Sequence, residues 1–222
     1  MGSGILFLVV CALVLLILYF SYKIIRNINA QKIIDELFAT ARRGRGFILR
    51  ILVAAFGNSK VMVNARIPVK GRNAPPAYAD AIIVSRAGIT VISVMPYPGK
   101  LDNPQNDAWT YVDKNGKVTT VDNPFARNNY MSEVLKHILR KDGFHNISIN
   151  SLVVISCAAN VQPRFTYRNM VTENTVIDEI KNIMLDKQLS YTEMRDVMMT
   201  VRRNIVKAPP SQNTMSDTST RF

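Results

Sequence analysis

The centre of the chain, residues 78–95, reads YADAIIVSRAGITVISVM. Its two runs of apolar and β-branched residues, 78–85 and 89–95, are separated by Arg86-Ala87-Gly88. Such runs are typical of β-strands, and a glycine between them favours a tight turn. We therefore predict a β-hairpin here, and the neighbouring segments are interpreted around it.

The segments around the hairpin predict a mixture of helices and further strands. Asn123 is suited to cap a helix that has Pro124 at its first position, so we predict a helix from there to about Lys141. The dipeptide Asn115-Gly116 indicates the turn of a second hairpin. Hydrophobic periodicity predicts further helices at 47–56, 175–187 and 191–206 and strands at 61–67 and 151–157.

Several residues occur in an order that resembles a known family. The hairpin is followed by Tyr97, Gly99, Trp109 and then Asn123-Pro124 at a helix start. This succession resembles that of the nuclease-related domain (NERD) family, over about residues 44–160. The resemblance implies an α/β fold like that of restriction endonucleases, with a mixed β-sheet flanked by helices. It also implies a site where Asp and Glu hold a divalent cation and Lys assists the attacking water.

The site implied by the resemblance is incomplete in this chain. Asp80 matches the family Asp, but Ser93 and Met95 stand where the family has its Glu-x-Lys. Residues two apart on a strand point to the same face, so both side chains are predicted to face the neighbourhood of Asp80. The family's Gly-Glu aligns with Gly46-Phe47 and its Gln with Arg127. A hydroxyl and a thioether cannot replace a carboxylate and an ammonium, so we expect a degenerate site with no catalytic residue and no metal or other cofactor.

Two other interpretations of Asp80 stay open. As a structural carboxylate it would accept hydrogen bonds from backbone N–H groups or from Arg86. As part of a rearranged nuclease site it would hold Mg²⁺ together with a displaced side chain, such as Glu133 or Lys100.

The N-terminal residues suggest a membrane anchor. Residues 1–22 carry no charged side chain, and 5–20 consists almost wholly of Leu, Val, Ile and Phe. About 20 such residues span a hydrocarbon core of ~30 Å, and the missing basic n-region argues against a cleaved signal peptide. Residues 23–50 are rich in Lys and Arg, which are enriched on the cytosolic side. We therefore predict a single-pass protein of the cell membrane, with its N-terminus outside and its domain in the cytosol.

On this interpretation the chain has four parts. A transmembrane helix at 1–22 is followed by a basic juxtamembrane helix and hinge at 23–46. A NERD-like α/β domain occupies 47–206, and a disordered tail rich in Ser, Thr and Pro occupies 207–222.

The charge balance indicates an anionic partner. The formal net charge is +12 for 222 residues, and the sequence pI is about 9.9. The candidate contact residues are four arginines at the start of the domain, Arg42, Arg43, Arg45 and Arg50. Their partner would be nucleic acid or, near residues 23–46, anionic lipid. The two Cys and two His form no cluster with the spacing of a zinc site.

The leading functional hypothesis is a catalytically inactive, membrane-anchored nuclease-like domain. It would act as a cytosolic binding module or as a subunit of a membrane-associated complex whose protein partner the sequence does not identify. The alternatives are a DNA-tethering protein and a metal-dependent nuclease with a rearranged site.

Overall fold

A computed structural model of the protein describes residues 13–25, 28–29, 32, 34, 44–69, 71, 74–97, 99–102, 108–156, 159–160 and 169–207. The largest element is a six-stranded mixed sheet. Its strands, in spatial order, are β10 (Val206–Lys207), β1 (Val61–Ile67), β2 (Ala77–Ser85), β3 (Gly88–Met95), β7 (Ile149–Ile155) and β9 (Met170–Thr172). The first four strands pair with one another in antiparallel fashion, whereas β7 is parallel to both β3 and β9. The predicted α/β fold with a mixed sheet flanked by helices is confirmed.

The central hairpin of β2 and β3 forms as predicted. Its register pairs Ser85 with Gly88 and extends to Ala81 and Ile92. Both strands are buried along nearly their whole length, which explains why their sequences are continuously apolar and do not alternate. Gly88 adopts φ +102° beside the backbone of Ser148, where a side chain would collide with the carbonyl oxygen.

Helices cover both faces of this sheet. They are α1 (Arg45–Phe56), α2 (Pro124–Lys141), α3 (Val176–Ile183) and α4 (Tyr191–Asn204). Helices α1 and α3 share one core cluster with the sheet, through residues such as Ile51 and Ile180. Helices α2 and α4 share a second cluster, through residues such as Leu135 and Val201. The predicted helices are therefore present, although α3 ends four residues earlier than expected.

A smaller four-stranded sheet packs beside the end of β3. Its order is β6 (Val118–Asp122), β5 (Ala108–Val112), β4 (Gly99–Asp102) and β8 (Ala159–Asn160). Strands β5 and β6 are the second predicted hairpin, closed at Asn115-Gly116. A third apolar cluster joins the two sheets and includes Trp109, Tyr111 and Leu101. Burial of Tyr111, reinforced by Tyr97, raises the pKa of its phenol above the ordinary value.

The predicted membrane anchor is corrected by the structure. Residues 13–25 are helical, and their large apolar side chains are exposed. Among the described residues no helix is long and apolar enough to cross a membrane. The prediction of a single-pass protein in the cell membrane, with its N-terminus outside, is therefore wrong. Residues 1–12, most of the predicted hinge and residues 208–222 lie outside the described part of the chain.

The Gly88 turn yields a test of the hairpin. Alanine at this position would place its Cβ 2.2 Å from the Ser148 carbonyl oxygen in addition to adopting a positive φ. We expect Gly88→Ala to lower the free energy of unfolding by about 2–4 kcal/mol. Gly116→Ala is the control, because Gly116 also has a positive φ (+78°) but open space around it, so only about 1 kcal/mol should be lost. Urea denaturation of both variants measures the difference, and equal losses would contradict the proposed collision.

Candidate functional site

Asp80 lies where strands β2 and β3 separate. The paired register of the two strands ends at Ala81 and Ile92, just before Asp80 is reached. The backbone N–H of Val94 donates instead to the Asp80 carboxylate, with 2.7 Å between N and Oδ2. Asp80 is 2% exposed, so its side chain takes over a backbone hydrogen bond inside the protein.

Two arginines from different helices converge on this carboxylate. Arg45, the first residue of α1, places its Nε 2.6 Å from Asp80 Oδ1. Arg127, in the first turn of α2, donates from Nη2 to Asp80 Oδ2 at 2.8 Å. Both arginine side chains are about one quarter exposed (26%), whereas the carboxylate between them is buried. Both oxygens of Asp80 are thus engaged by cationic groups.

Tyr78 and Asn64 complete the side of the site that faces α1. The Tyr78 hydroxyl donates to Asp80 Oδ1 at 3.0 Å, and its ring lies 5.4 Å from the Arg45 Cζ and 5.5 Å from the Arg127 Cζ. Such distances allow cation–π attraction between the ring and both guanidinium groups. Asn64 Oδ1 accepts from Arg45 Nη2 at 2.7 Å. The guanidinium groups are therefore held in place by several contacts each.

Ser93 belongs to a second, buried part of the same network. Its hydroxyl accepts from Arg127 Nε at 3.1 Å and donates to Asn128 Oδ1 at 2.6 Å. The Asn128 amide nitrogen donates in turn to oxygens on β3 and β7, namely those of Val91, Ser151 and Leu152. Ser93 and Asn128 are fully buried. The serine thus has a hydrogen-bonding environment suited to a hydroxyl, which donates one bond and accepts another.

Met95 occupies different surroundings from Ser93. It is 4% exposed and belongs to the apolar cluster between the two sheets, together with Leu101, Trp109 and Ile155. The structure therefore brings Ser93 into contact with the Asp80 network and places the Met95 side chain in the apolar core. Phe47, at the position of the family's other carboxylate, is also buried in a core cluster.

These residues do not fit a divalent cation. A hard cation requires several oxygen ligands, and both carboxylate oxygens of Asp80 already accept from Val94, Tyr78 or an arginine. The two alternative residues lie elsewhere: Glu133 is exposed on α2 and paired with Lys136, while Lys100 belongs to strand β4 of the smaller sheet. Lys136 also lowers the pKa of Glu133. Within the described ranges, no three acidic, His or Cys side chains form a potential metal cluster.

The site differs in two ways from what the sequence predicts. Of the four candidate arginines, Arg45 contacts Asp80, Arg50 is exposed on α1, and Arg42 and Arg43 lie outside the described residues. The structural interpretation of Asp80 named Arg86 as its partner, but Arg86 donates to the Leu189 carbonyl and stacks on Tyr191. Sequence reasoning missed Arg127 as a partner of Asp80, and it also missed the contributions of Asn64, Tyr78 and Asn128 to the network. The Asn-Pro signal at 123–124 locates α2, but the approach of α2 to β2 depends on tertiary packing.

The arrangement is better suited to bind an oxyanion than to catalyse a reaction of that oxyanion. One carboxylate and two guanidinium groups give a net charge of +1 at the site. Arg127 uses Nε and Nη2 in its contacts, and its Nη1 has no hydrogen-bond partner among the described residues. A guanidinium presents N–H donors in a planar fork that matches phosphate oxygens. Neither guanidinium can serve as a general base, because arginine stays protonated in proteins.

Comparison with known proteins identifies a family. The family profile described as the nuclease-related domain (NERD) matches residues 43–156, which include α1, both hairpins, α2 and β7. No curated protein and no solved structure shows significant similarity to the chain.

The Asp80 network predicts a large stability effect. Asp80→Ala would leave the Val94 N–H and two partly buried guanidinium groups without their shared acceptor. We expect the free energy of unfolding to fall by about 3–5 kcal/mol, as when one member of a buried ion pair is removed. Glu133→Ala is the control, because it breaks an exposed pair with Lys136 and should leave stability nearly unchanged. Similar chemical denaturation curves for the two variants would show that Asp80 is not a structural centre.

Proposed function

Because the chain belongs to the nuclease-related domain family, we propose that it is a catalytically inactive member that binds nucleic acid without cleaving it. The observation that carries the proposal is the contact of Arg45 and Arg127 with the two oxygens of Asp80. In this family the corresponding carboxylate would hold a cation that acts on the phosphate. Here guanidinium groups supply the positive charge directly, without a metal.

The loss of activity follows from what the side chains can do. Hydrolysis of a phosphodiester needs an activated water and stabilisation of the leaving oxygen, both of which a metal ion supplies. Ser93 offers a hydroxyl committed to Arg127 and Asn128, and Met95 is packed among apolar side chains. Arg45 and Arg127 stabilise negative charge but do not activate water, because they hold their protons.

The proposed binding of nucleic acid follows from the charge and the exposure of the arginine side chains. The side chains of Arg45 and Arg127 are each about one quarter exposed, so part of each side chain faces solvent while its contacts with Asp80 fix its orientation. The chain carries a formal net charge of +12, which adds a long-range attraction toward polyanions.

A protein partner is the competing possibility. Binding to nucleic acid and binding to a protein differ in their dependence on salt. Binding to B-DNA weakens with salt by a slope near −0.9 per phosphate contact in a log–log plot, whereas a specific protein interface need not.

The binding test uses the full chain with fluorescently labelled single-stranded and double-stranded DNA. We expect anisotropy to report binding whose affinity falls steeply with salt and does not require Mg²⁺ or Mn²⁺. The same DNA should remain intact on a denaturing gel with either ion. Cleavage that depends on a divalent cation and disappears in Asp80→Ala would overturn the proposed inactivity, and absence of binding at low salt would overturn nucleic-acid binding.

A matched pair of charge variants locates the contact. Arg127→Met and Arg195→Met each remove one positive charge, but Arg195 lies on α4, is exposed and pairs with Asp196. We expect Arg127→Met to weaken DNA binding about tenfold, as for loss of a charge-assisted contact worth about 1.4 kcal/mol, and Arg195→Met to change it far less. Circular dichroism and thermal melting establish that both variants are folded. Equal losses would mean that only net charge matters and that the Asp80 site is not the contact.

A further inference from the structure

Asn64 has an unusual backbone conformation for a residue inside a strand. Its φ is +51°, and among the residues that the structure describes it is the only non-glycine with a positive φ. Side-chain-bearing residues adopt this left-handed region rarely, and asparagine and aspartate do so most readily. Glycine would suit the backbone better, so the presence of Asn suggests that its side chain is used.

The unusual conformation lies directly beside the functional site. In the antiparallel register, Val63 pairs with Ala81 and Ala65 with Ala79, which places Asn64 opposite Asp80. The strands change their packing at this point. Ala81 contributes to the cluster with α1, whereas Ala79 and Ala65 contribute to the cluster with α2. The backbone of Asn64 thus redirects strand β1 next to the carboxylate that both arginines contact.

The Asn64 side chain acts on one of those arginines. Its Oδ1 accepts from Arg45 Nη2 at 2.7 Å and lies 3.5 Å from the Tyr78 hydroxyl, while Arg45 Nε lies 2.6 Å from Asp80. The guanidinium is therefore held by a hydrogen bond from Nη2 to Asn64 and by an ion pair at Nε with Asp80, and the two partners lie on neighbouring strands. Two such contacts fix the plane of the group as well as its position.

We propose that Asn64 is a positioning residue, which orients the Arg45 guanidinium so that Arg45 and Arg127 can bind the same phosphate group. The inference rests on the proposed function, because phosphate is the ligand that the two arginines are expected to share. Asn64 itself does not contact the ligand. Its left-handed backbone conformation places its side-chain oxygen within hydrogen-bonding distance of Arg45 Nη2.

The test begins with Asn64→Gly in the full chain. Glycine adopts a φ of +51° without strain, so the variant keeps the backbone and removes only the side-chain acceptor. We expect DNA affinity to fall about fivefold to tenfold at fixed salt, with a melting temperature close to that of the unsubstituted chain. Asn115→Gly is the matched control, because Asn115 lies in the exposed turn of the second hairpin and should leave affinity unchanged.

A double-mutant cycle with Arg45→Ala separates positioning from a general structural role. If Asn64 acts through Arg45, then Asn64→Gly should cause no further loss of affinity once Arg45 is alanine. A loss of affinity that is the same in both backgrounds, or no loss in either, would overturn the inference. If the unsubstituted chain binds DNA, these outcomes concern Asn64 alone, whereas failure of the unsubstituted chain to bind would overturn the proposed function and the inference together.

Discussion

The buried carboxylate of Asp80 joins three parts of the chain that have little else in common. Arg45 reaches it from the start of α1, Arg127 from the first turn of α2, and Val94 from the end of β3. The two helices lie in different core clusters on the sheet, so the carboxylate is a point where both clusters are tied to the same strand. Charged groups at such a position are stable only when all are paired, because an isolated charge in the interior is strongly disfavoured. The geometry of the site and the docking of the helices are therefore set by the same contacts.

The contacts around Asp80 also bear on the proposed binding of nucleic acid. A divalent cation that is held by carboxylates presents positive charge to a phosphate, and so does a pair of guanidinium groups. Only the metal ion can also activate water. In the proposed function, the guanidinium groups keep the attraction for phosphate but do not supply the activated water that hydrolysis needs. The Ser93 and Asn128 hydrogen bonds extend the network into β3 and β7. Arg127 is therefore held by Ser93 as well as by Asp80. Such support favours a rigid binding site, since fewer side-chain rotamers must be ordered when a ligand arrives.

Local signals in the sequence were sufficient for much of the fold. The apolar run of 78–95, the Asn115-Gly116 turn and the Asn123 cap with Pro124 each determine structure over a few residues, and the hairpins and α2 form where they predict. Short strands such as β4, β8 and β9 gave no comparable signal, because two to four residues carry too little periodicity. The partners of Asp80 could not be identified either, since Arg127 is 47 residues away in sequence and meets it only after α2 packs on the sheet. The N-terminal apolar run predicted a membrane anchor from composition alone, and no helix among the described residues is long and apolar enough to cross a membrane.

The packing of Met95 limits which side chains its position can hold. A lysine introduced at this position would bring an ammonium into contact with Trp109, Leu101 and Ile155, in a cluster that joins the two sheets. A glutamate at position 93 would meet the closed hydrogen bonds of Asn128 and Arg127. Either substitution alone would therefore lower stability. Restoring the family's Glu-x-Lys at positions 93 and 95 would therefore require the surroundings of both side chains to be repacked together.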